Sequence, residues 1–203
     1  MTEKQIWDFL ADATGSDNMA AAIMGNLYAE SALRSDNLQG AFEKKFGLTD
    51  KEYTDLVDRG GISREQFYND HAGYGLAQWT YWSRKQGLYD YIKKHSGTPS
   101  IADTKLQLEY VIKELSTNYK SIWNVRITQS LEYLCDQILR YYEAPASKDE
   151  EKTILLRRGY AQSFYDKYAK TDIIKEIDSC IDKLKAIQSD VFDIMDTLSK
   201  LTN

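Results

Sequence analysis

The sequence predicts a mainly α-helical protein. Only two prolines occur in its 203 residues, and alternating β-branched residues are scarce. Apolar residues recur instead at steps of three and four along most of the chain, and they make up 42% of it, enough for a buried core. We therefore expect one helical domain over residues 1–170 and a long amphipathic helix over residues 171–203.

Periodicity and capping residues predict nine helices. Thr49 and Glu52 form a capping-box pattern, and Pro145 marks a break before a further helix. The stretch from 32 to 75 is less regular, and we expect it to form one wall of a cleft around a small aromatic core. The predicted helices cover residues 3–13, 17–30, 49–59, 63–69, 82–95, 100–117, 128–143, 149–168 and 172–202.

Composition excludes several functions. A net charge of −5 argues against a nucleic-acid surface, and no apolar run reaches the length of a membrane span. The N-terminus lacks a signal-peptide pattern, so we expect synthesis in the cytoplasm. Cys135 and Cys180 lie on apolar helical stripes, which predicts buried free thiols. With His71 and His95 as the only histidines, we expect no metal site and no cofactor.

The first candidate site residue is Glu30, which ends an apolar helical stripe. It follows Met19, Ile23 and Leu27 at steps of 4, 4 and 3. Burial and the helix C-terminus both disfavour a negative charge there, which suits a general acid that must keep its proton. The alternative is a carboxylate at a helix end that bends out into water.

A second candidate segment covers residues 69–80 and reads Asn-Asp-His-Ala-Gly-Tyr-Gly-Leu-Ala-Gln-Trp-Thr. Its glycines allow a backbone to approach a ligand closely, its aromatic faces suit sugar rings, and its amide can bind hydroxyl groups. The alternative is a turn that leads into a helix, with Trp79 in the core.

Together, the Glu30-Ser31 helix end and the later Gly-Tyr-Gly-Leu-Ala-Gln-Trp sequence resemble the lysozyme-like superfamily of peptidoglycan glycosidases. The resemblance is strongest to the phage tail lysozyme family and covers residues 1–170. It implies a lysozyme-like helical domain with a cleft, which cleaves the β-1,4 bond between N-acetylmuramic acid and N-acetylglucosamine. Further matching segments are 81–85, 141–146 and 157–161.

The resemblance makes Glu30 the catalytic acid. Asp70 is the best candidate for a second carboxylate because it lies in the glycine-rich segment, and Asp36 is a weaker one. Without a second acid, the 6-hydroxyl of the substrate would attack its own anomeric carbon, so hydrolase and lytic transglycosylase both stay open. Trp79 and Tyr142 suit the core as well as a sugar. The expected substrate-binding residues are Ser31, Tyr74, Gly75, Gln78, Trp79 and Tyr142.

The C-terminal segment carries a heptad repeat. Apolar residues occupy every a and d position from Ile177 to Leu201, and Ile181 and Met195 at e positions widen the stripe. We expect residues 172–202 to form a homo-oligomer or to bind a phage or secretion-machinery partner. The alternative is a last helix that packs back on the domain.

These features predict an enzyme of phage or mobile-element origin whose substrate is bacterial peptidoglycan. We expect it to act at the cell wall, either associated with a virion or released at lysis. The alternative function is a non-catalytic tail or mobile-element structural protein with a degenerate lysozyme-like domain. The presence of Glu30 with Ser31, Gly75 and Gln78 favours the enzyme.

Overall fold

The computed structural model describes residues 1–97 and 99–201, without the side chains of 170–176, 178, 189, 192–193 and 195–201. The mainly α-helical fold is confirmed. A π-helix, Ile138–Glu143, accompanies ten α-helices in the described residues. These are α1 Glu3–Thr14, α2 Asp17–Ser31, α3 Gly40–Phe46, α4 Asp50–Asp58, α5 Arg64–Asn69, α6 Trp82–Lys93, α7 Thr104–Asn118, α8 Lys120–Trp123, α9 Leu131–Gln137 and α10 Glu151–Leu201.

Helix α2 is the centre of the fold. It begins after Ser16, whose hydroxyl accepts a hydrogen bond from the Met19 backbone N–H at 3.2 Å. All residues from Met19 to Leu27 are buried, so the helix is enclosed on every side rather than along one stripe. Helices α1 and α9 pack against it. An apolar helix that is buried all round is rigidly held, and its last turn carries Glu30.

The irregular region between α2 and α6 folds around the small core that the sequence predicts. Tyr53, Phe67 and Tyr74 are buried there, and the rings of Phe46 and Tyr53 stack with centroids 6.1 Å apart. The capping box at the start of α4 is confirmed. Helix α3 was not predicted, because its seven residues are too few to show a clear periodicity.

The predicted helix over residues 128–143 is two elements. After α9, the chain widens into the π-helix, which ends where Ala144 adopts a left-handed backbone (φ 46°) and donates its N–H to the Leu139 carbonyl at 2.8 Å. Pro145 follows and prevents continuation. The spacing of apolar residues in the sequence does not reveal a π-turn, because its one extra residue shifts the helical phase only locally. Such turns occur frequently at functional sites.

Two other predicted boundaries were wrong. Helix α7 begins at Thr104 because Asp103 caps it, rather than near residue 100. The two helices predicted over 149–168 and 172–202 are the single helix α10. The chain divides into two compact units, Met1–Tyr165 and Asp166–Asn203. No helix within the described residues combines the length and apolarity that crossing a membrane requires.

The heptad stripe of α10 is exposed where its side chains are described. Its members there range from 42% exposed at Ile181 to 65% at Leu184. Cys135 is buried as expected, whereas Cys180, on this stripe, is exposed, contrary to expectation. The side chains of the predicted stripe members Met195, Leu198 and Leu201 lie outside the described residues.

A glycine allows α2 and α10 to touch. A Cβ atom added at Gly25 would lie 2.6 to 2.8 Å from the backbone nitrogen, Cα and Cβ of Ala161. Such contacts are shorter than carbon and nitrogen atoms tolerate, so any larger residue would push the two helices apart. Gly159 lies on the same helix, exposed and with no atom within 4 Å of its added Cβ.

We predict opposite effects for alanine at these two glycines. Gly25→Ala should lower the free energy of unfolding by about 1–3 kcal/mol through overpacking. Gly159→Ala should raise it by roughly 0.5–1 kcal/mol, because alanine favours an exposed helix interior. Urea unfolding followed by circular dichroism measures both. A Gly25→Ala variant as stable as Gly159→Ala would contradict the close contact.

Candidate active site

A polar cleft of about 460 Å³ lies at the C-terminal end of α2. Its volume falls within the range of small-ligand sites. The side chains around it come from α2, from the loop before α6, from α6 itself and from the end of the π-helix. The lining residues are Glu30, Gln39, Ala77, Gln78, Thr80, Tyr81, Arg84, Glu143 and Pro145.

Glu30 lines this cleft and forms an ion pair with Arg157 of α10. Arg157 is buried, and its guanidinium also donates to the backbone oxygen and to the side-chain Oδ1 of Asn26, each at 3.2 Å. Asn26 in turn donates to the Cys135 carbonyl of α9 at 3.2 Å. The acid is therefore held between three helices and does not simply bend out into water.

Glu143 is a second carboxyl in the same cleft, and the sequence interpretation did not assign it a catalytic role. Its Oε1 is buried and has no hydrogen-bond partner among the described residues. Burial is the main cause that raises its pKa well above the ordinary value, and the charge of Glu30 adds to it, while Arg84 and Arg157 oppose the shift. A cleft carboxyl with one buried oxygen that lacks a partner in the described chain, and with a raised pKa, is a candidate general acid.

A buried polar network lies beneath the cleft around Glu114 of α7. Arg84 donates to both carboxylate oxygens at 2.9 Å, and Trp79 and Tyr142 donate to Oε2 at 2.9 and 2.8 Å. The Arg84 guanidinium also stacks over the Tyr142 ring at 4.6 Å and donates to the Tyr142 carbonyl at 3.1 Å. This network joins the loop before α6, α6, α7 and the π-helix, and so fixes the backbone next to Glu143.

The loop before α6 is a tight turn. Tyr74 and Trp79 form two backbone hydrogen bonds, of 3.3 and 3.0 Å, across it. Gly75 has φ 75°, and a Cβ there would lie 2.6 Å from Gln107 Oε1, so both its conformation and its space require glycine. Gln78, also with positive φ, donates from Nε2 to the Asn37 and Gly75 carbonyls and lines the cleft.

Ser31 and Gln107 tie this loop to the rest of the domain. The buried Ser31 hydroxyl donates to the Leu76 carbonyl at 2.9 Å and to the Leu27 carbonyl at 3.1 Å. Gln107 accepts from the Leu76 N–H at 2.9 Å. The Ser31 hydroxyl therefore links α2 to this loop, and its expected contact with the substrate stays a prediction.

Asp70 does not lie where the sequence interpretation put it. It is absent from the cleft lining in the described chain, and its carboxylate accepts from Lys85 Nζ, the Tyr53 hydroxyl and the Ala72 N–H. Burial lowers the pKa of Lys85 to about 8, against the opposing effect of Asp70. Asp36, the weaker candidate, is paired with Arg34. The geometry thus favours Glu143 as the second carboxyl.

The remaining predicted contacts divide between cleft and core. Gln78 faces the cleft, and Gly75 shapes the turn that carries it. Trp79 and Tyr142 are buried, so the core alternative is the one observed for both, and Tyr74, expected to contact the sugar, is buried in the small aromatic core as well. Tyr74 bonds to Thr54 through their hydroxyls at 2.6 Å. Arg84 and Arg157 lie in segments 81–85 and 157–161, which resemble the family. Their structural roles depend on hydrogen-bond partners that are distant in sequence.

An acid at the end of a buried central helix, open to a polar cleft, is characteristic of the lysozyme-like class of helical domains. Within that class, residues 1–168 match the phage tail lysozyme family, and the chain belongs to this family. Membership indicates a lysozyme-like function on peptidoglycan. Neither curated proteins nor solved structures include a significant match to the chain.

We predict a pH dependence of stability from Glu143. Because its folded pKa is raised from the ordinary 4.5, its stabilising effect is full below that value and is lost as pH rises through the folded pKa. Glutamine does not titrate. As the pH rises above 4.5, the wild type should therefore lose stability relative to Glu143→Gln, by up to about 1.4 kcal/mol per pH unit until the folded pKa is reached.

Urea unfolding at a series of pH values measures this difference. Glu132→Gln, at an exposed position of α9, is the matched control and should parallel the wild type. If the free energy of unfolding changed with pH in the same way for the wild type and for Glu143→Gln, burial would not raise the pKa of Glu143.

Proposed function

We propose that the protein is a peptidoglycan glycosidase that hydrolyses the β-1,4 bond between N-acetylmuramic acid and N-acetylglucosamine. The observation that carries the proposal is the pair of carboxyls, Glu30 and Glu143, on one cleft. One is held by Arg157, and the other has a buried oxygen without a partner among the described residues. Glycoside hydrolysis usually uses two carboxyls in different surroundings, one as acid and one as carboxylate, and Glu30 and Glu143 differ in this way.

The two carboxyls share one cleft but have different surroundings. Burial, together with the charge of Glu30, raises the pKa of Glu143 and favours its protonated form, whereas Glu30 is paired with Arg157. Glu143 can then protonate the leaving oxygen of the scissile bond, while Glu30 provides the carboxylate that stabilises positive charge at the anomeric carbon or activates water. The family resemblance makes Glu30 the general acid, whereas this mechanism gives that role to Glu143. Substitutions of both residues are therefore needed to test the mechanism.

We predict that Glu30→Gln and Glu143→Gln each slow the release of fragments from purified cell walls by about 10²- to 10⁴-fold, the usual contribution of a general acid or base. Glu132→Gln, away from the cleft, should retain full activity. Circular dichroism establishes that each variant is folded. A folded Glu30→Gln or Glu143→Gln variant that works at the wild-type rate would refute the mechanism.

The products separate hydrolysis from the transglycosylase alternative. Mass spectrometry of the released muropeptides should show reducing ends, since one carboxyl can protonate the leaving oxygen while the other activates water. Muropeptides that carry 1,6-anhydro ends would instead assign a transglycosylase. Intact walls after incubation with the wild type would favour the structural-protein alternative.

The proposed site of action is the bacterial cell wall, which the enzyme reaches on a virion or after release at lysis. What supports this is the family, whose description names the phage tail. The acidic net charge gives no bulk attraction to an anionic wall, so delivery by a particle or by lysis fits the chain better than free diffusion to it.

We also propose that the heptad helix associates with further copies of this chain. An a and d repeat is self-complementary, because identical helices in register bury identical layers. Eight such side chains from each of two chains would bury on the order of 1,000–2,000 Å², the size of a stable interface. The apolar e positions Ile181 and Met195 leave too little charge for a simple pair, so we expect more than two helices.

Sedimentation velocity tests this association. The full chain should sediment as an oligomer of more than two chains at micromolar concentration. Ile187→Lys, at a d position, should lower the oligomeric state, whereas Ala186→Lys, at the neighbouring exposed c position, should not. A wild-type chain that is monomeric at high micromolar concentration would refute self-association.

A further inference from the structure

Two aromatic side chains are exposed beside the cleft. Tyr81 is 63% exposed and lines the cleft, and Trp82, the next residue, is 49% exposed. Their rings lie with centroids 6.0 Å apart and planes tilted by 43°. The other aromatics of this segment, Tyr74 and Trp79, are fully buried. The exposed pair is therefore available for a ligand and takes no part in the core.

The backbone that carries the pair is fixed. Tyr81 is the N-cap of α6, and its carbonyl accepts a hydrogen bond from the Lys85 N–H at 3.0 Å. Just before it, the Thr80 hydroxyl donates to the Gln78 carbonyl at 2.9 Å. Rings on a rigid backbone lose little conformational entropy when a ligand binds, which favours affinity.

The neighbouring groups indicate the kind of ligand. Gln39, Gln78 and Thr80 line the same cleft. The Gln78 amide N–H groups and the Thr80 hydroxyl proton bond to backbone carbonyls, which leaves the Gln78 and Thr80 side-chain oxygens to accept hydrogen bonds from hydroxyl and acetamido substituents. Flat aromatic faces bind apolar surfaces of comparable size, such as the C–H face of a pyranose ring. Two residues expose far less apolar area than a protein-binding patch usually has.

We propose that Tyr81 and Trp82 form a stacking platform that binds a sugar ring of a β-1,4-linked N-acetylhexosamine chain beside the catalytic carboxyls. The proposal rests on the proposed glycosidase function and adds to it the residues that hold the glycan. A platform away from the reacting bond contributes binding energy in the ground state and the transition state alike. Its loss should therefore raise KM and leave kcat nearly unchanged.

The test uses the Glu30→Gln protein, so that the probe is not consumed. The probe is a hexamer of β-1,4-linked N-acetylglucosamine, titrated by calorimetry. Tyr81→Ala and Trp82→Ala should each weaken binding by about 3- to 10-fold, the range expected for aromatic contacts. Tyr81→Phe, which keeps the ring, should bind as the parent does.

Tyr133→Ala is the matched control, since Tyr133 is 43% exposed on α9 and does not line the cleft. It should leave binding unchanged. Equal affinity of the Tyr81→Ala and Trp82→Ala variants and the parent would overturn the platform, as would an equal loss in Tyr133→Ala.

Wall digestion separates this proposal from the proposed function. In the wild-type background, Tyr81→Ala should raise KM for soluble glycan chains with kcat nearly unchanged. Wild-type protein that cleaves walls, together with platform variants of unaltered KM and affinity, would overturn the platform alone. A platform that binds the hexamer in a protein that releases no muropeptides would overturn the glycosidase function alone.

Discussion

The ion pair between Glu30 and Arg157 is the interaction on which the cleft depends. The Arg157 guanidinium is buried and Glu30 is half-buried, so losing either partner leaves the other charge poorly compensated. Arg157 also bonds to Asn26, and it reaches both residues because Gly25 lets α10 approach α2. Without the Arg157 guanidinium, the carboxyls of Glu30 and Glu143 would share the cleft with one fewer positive charge to offset their repulsion.

Two further buried ion pairs hold the loop before α6 from opposite sides. Glu114 and Arg84 fix its Trp79 end together with the π-helix, while Asp70 and Lys85 anchor its start in the small aromatic core. Each pair is satisfied by extra hydrogen bonds, as a charge in such a place requires. The loop is thus clamped at both ends, and Gln78 between them is held against the cleft.

Local patterns were enough to predict the helical class and the small aromatic core, because each depends on the order of apolar residues. The catalytic role of Glu30 stays a prediction, and the position of Glu143 on the cleft depends on a π-turn that periodicity does not reveal. Asp70 lies in the predicted segment, but it is the C-cap of α5, before the tight turn, and it bonds to Tyr53 and Lys85 of the small aromatic core instead of facing the cleft. Arg157 finds its partner 127 residues away, a contact that no local pattern encodes.

Backbone strain is concentrated at the same places. The five non-glycine residues with positive φ among the described residues are Ala32, Leu33, His71, Gln78 and Ala144. Four of them directly follow the segments that end in Ser31, Asp70 and Glu143, and the fifth is Gln78 itself. Each such conformation costs roughly 1–3 kcal/mol and persists only where the surroundings impose it. Here the enclosed helix α2 and the buried ion pairs supply that constraint. Two of the abrupt helix ends, after Ser31 and after Glu143, lie beside the cleft, which Glu30, Gln78 and Glu143 line together.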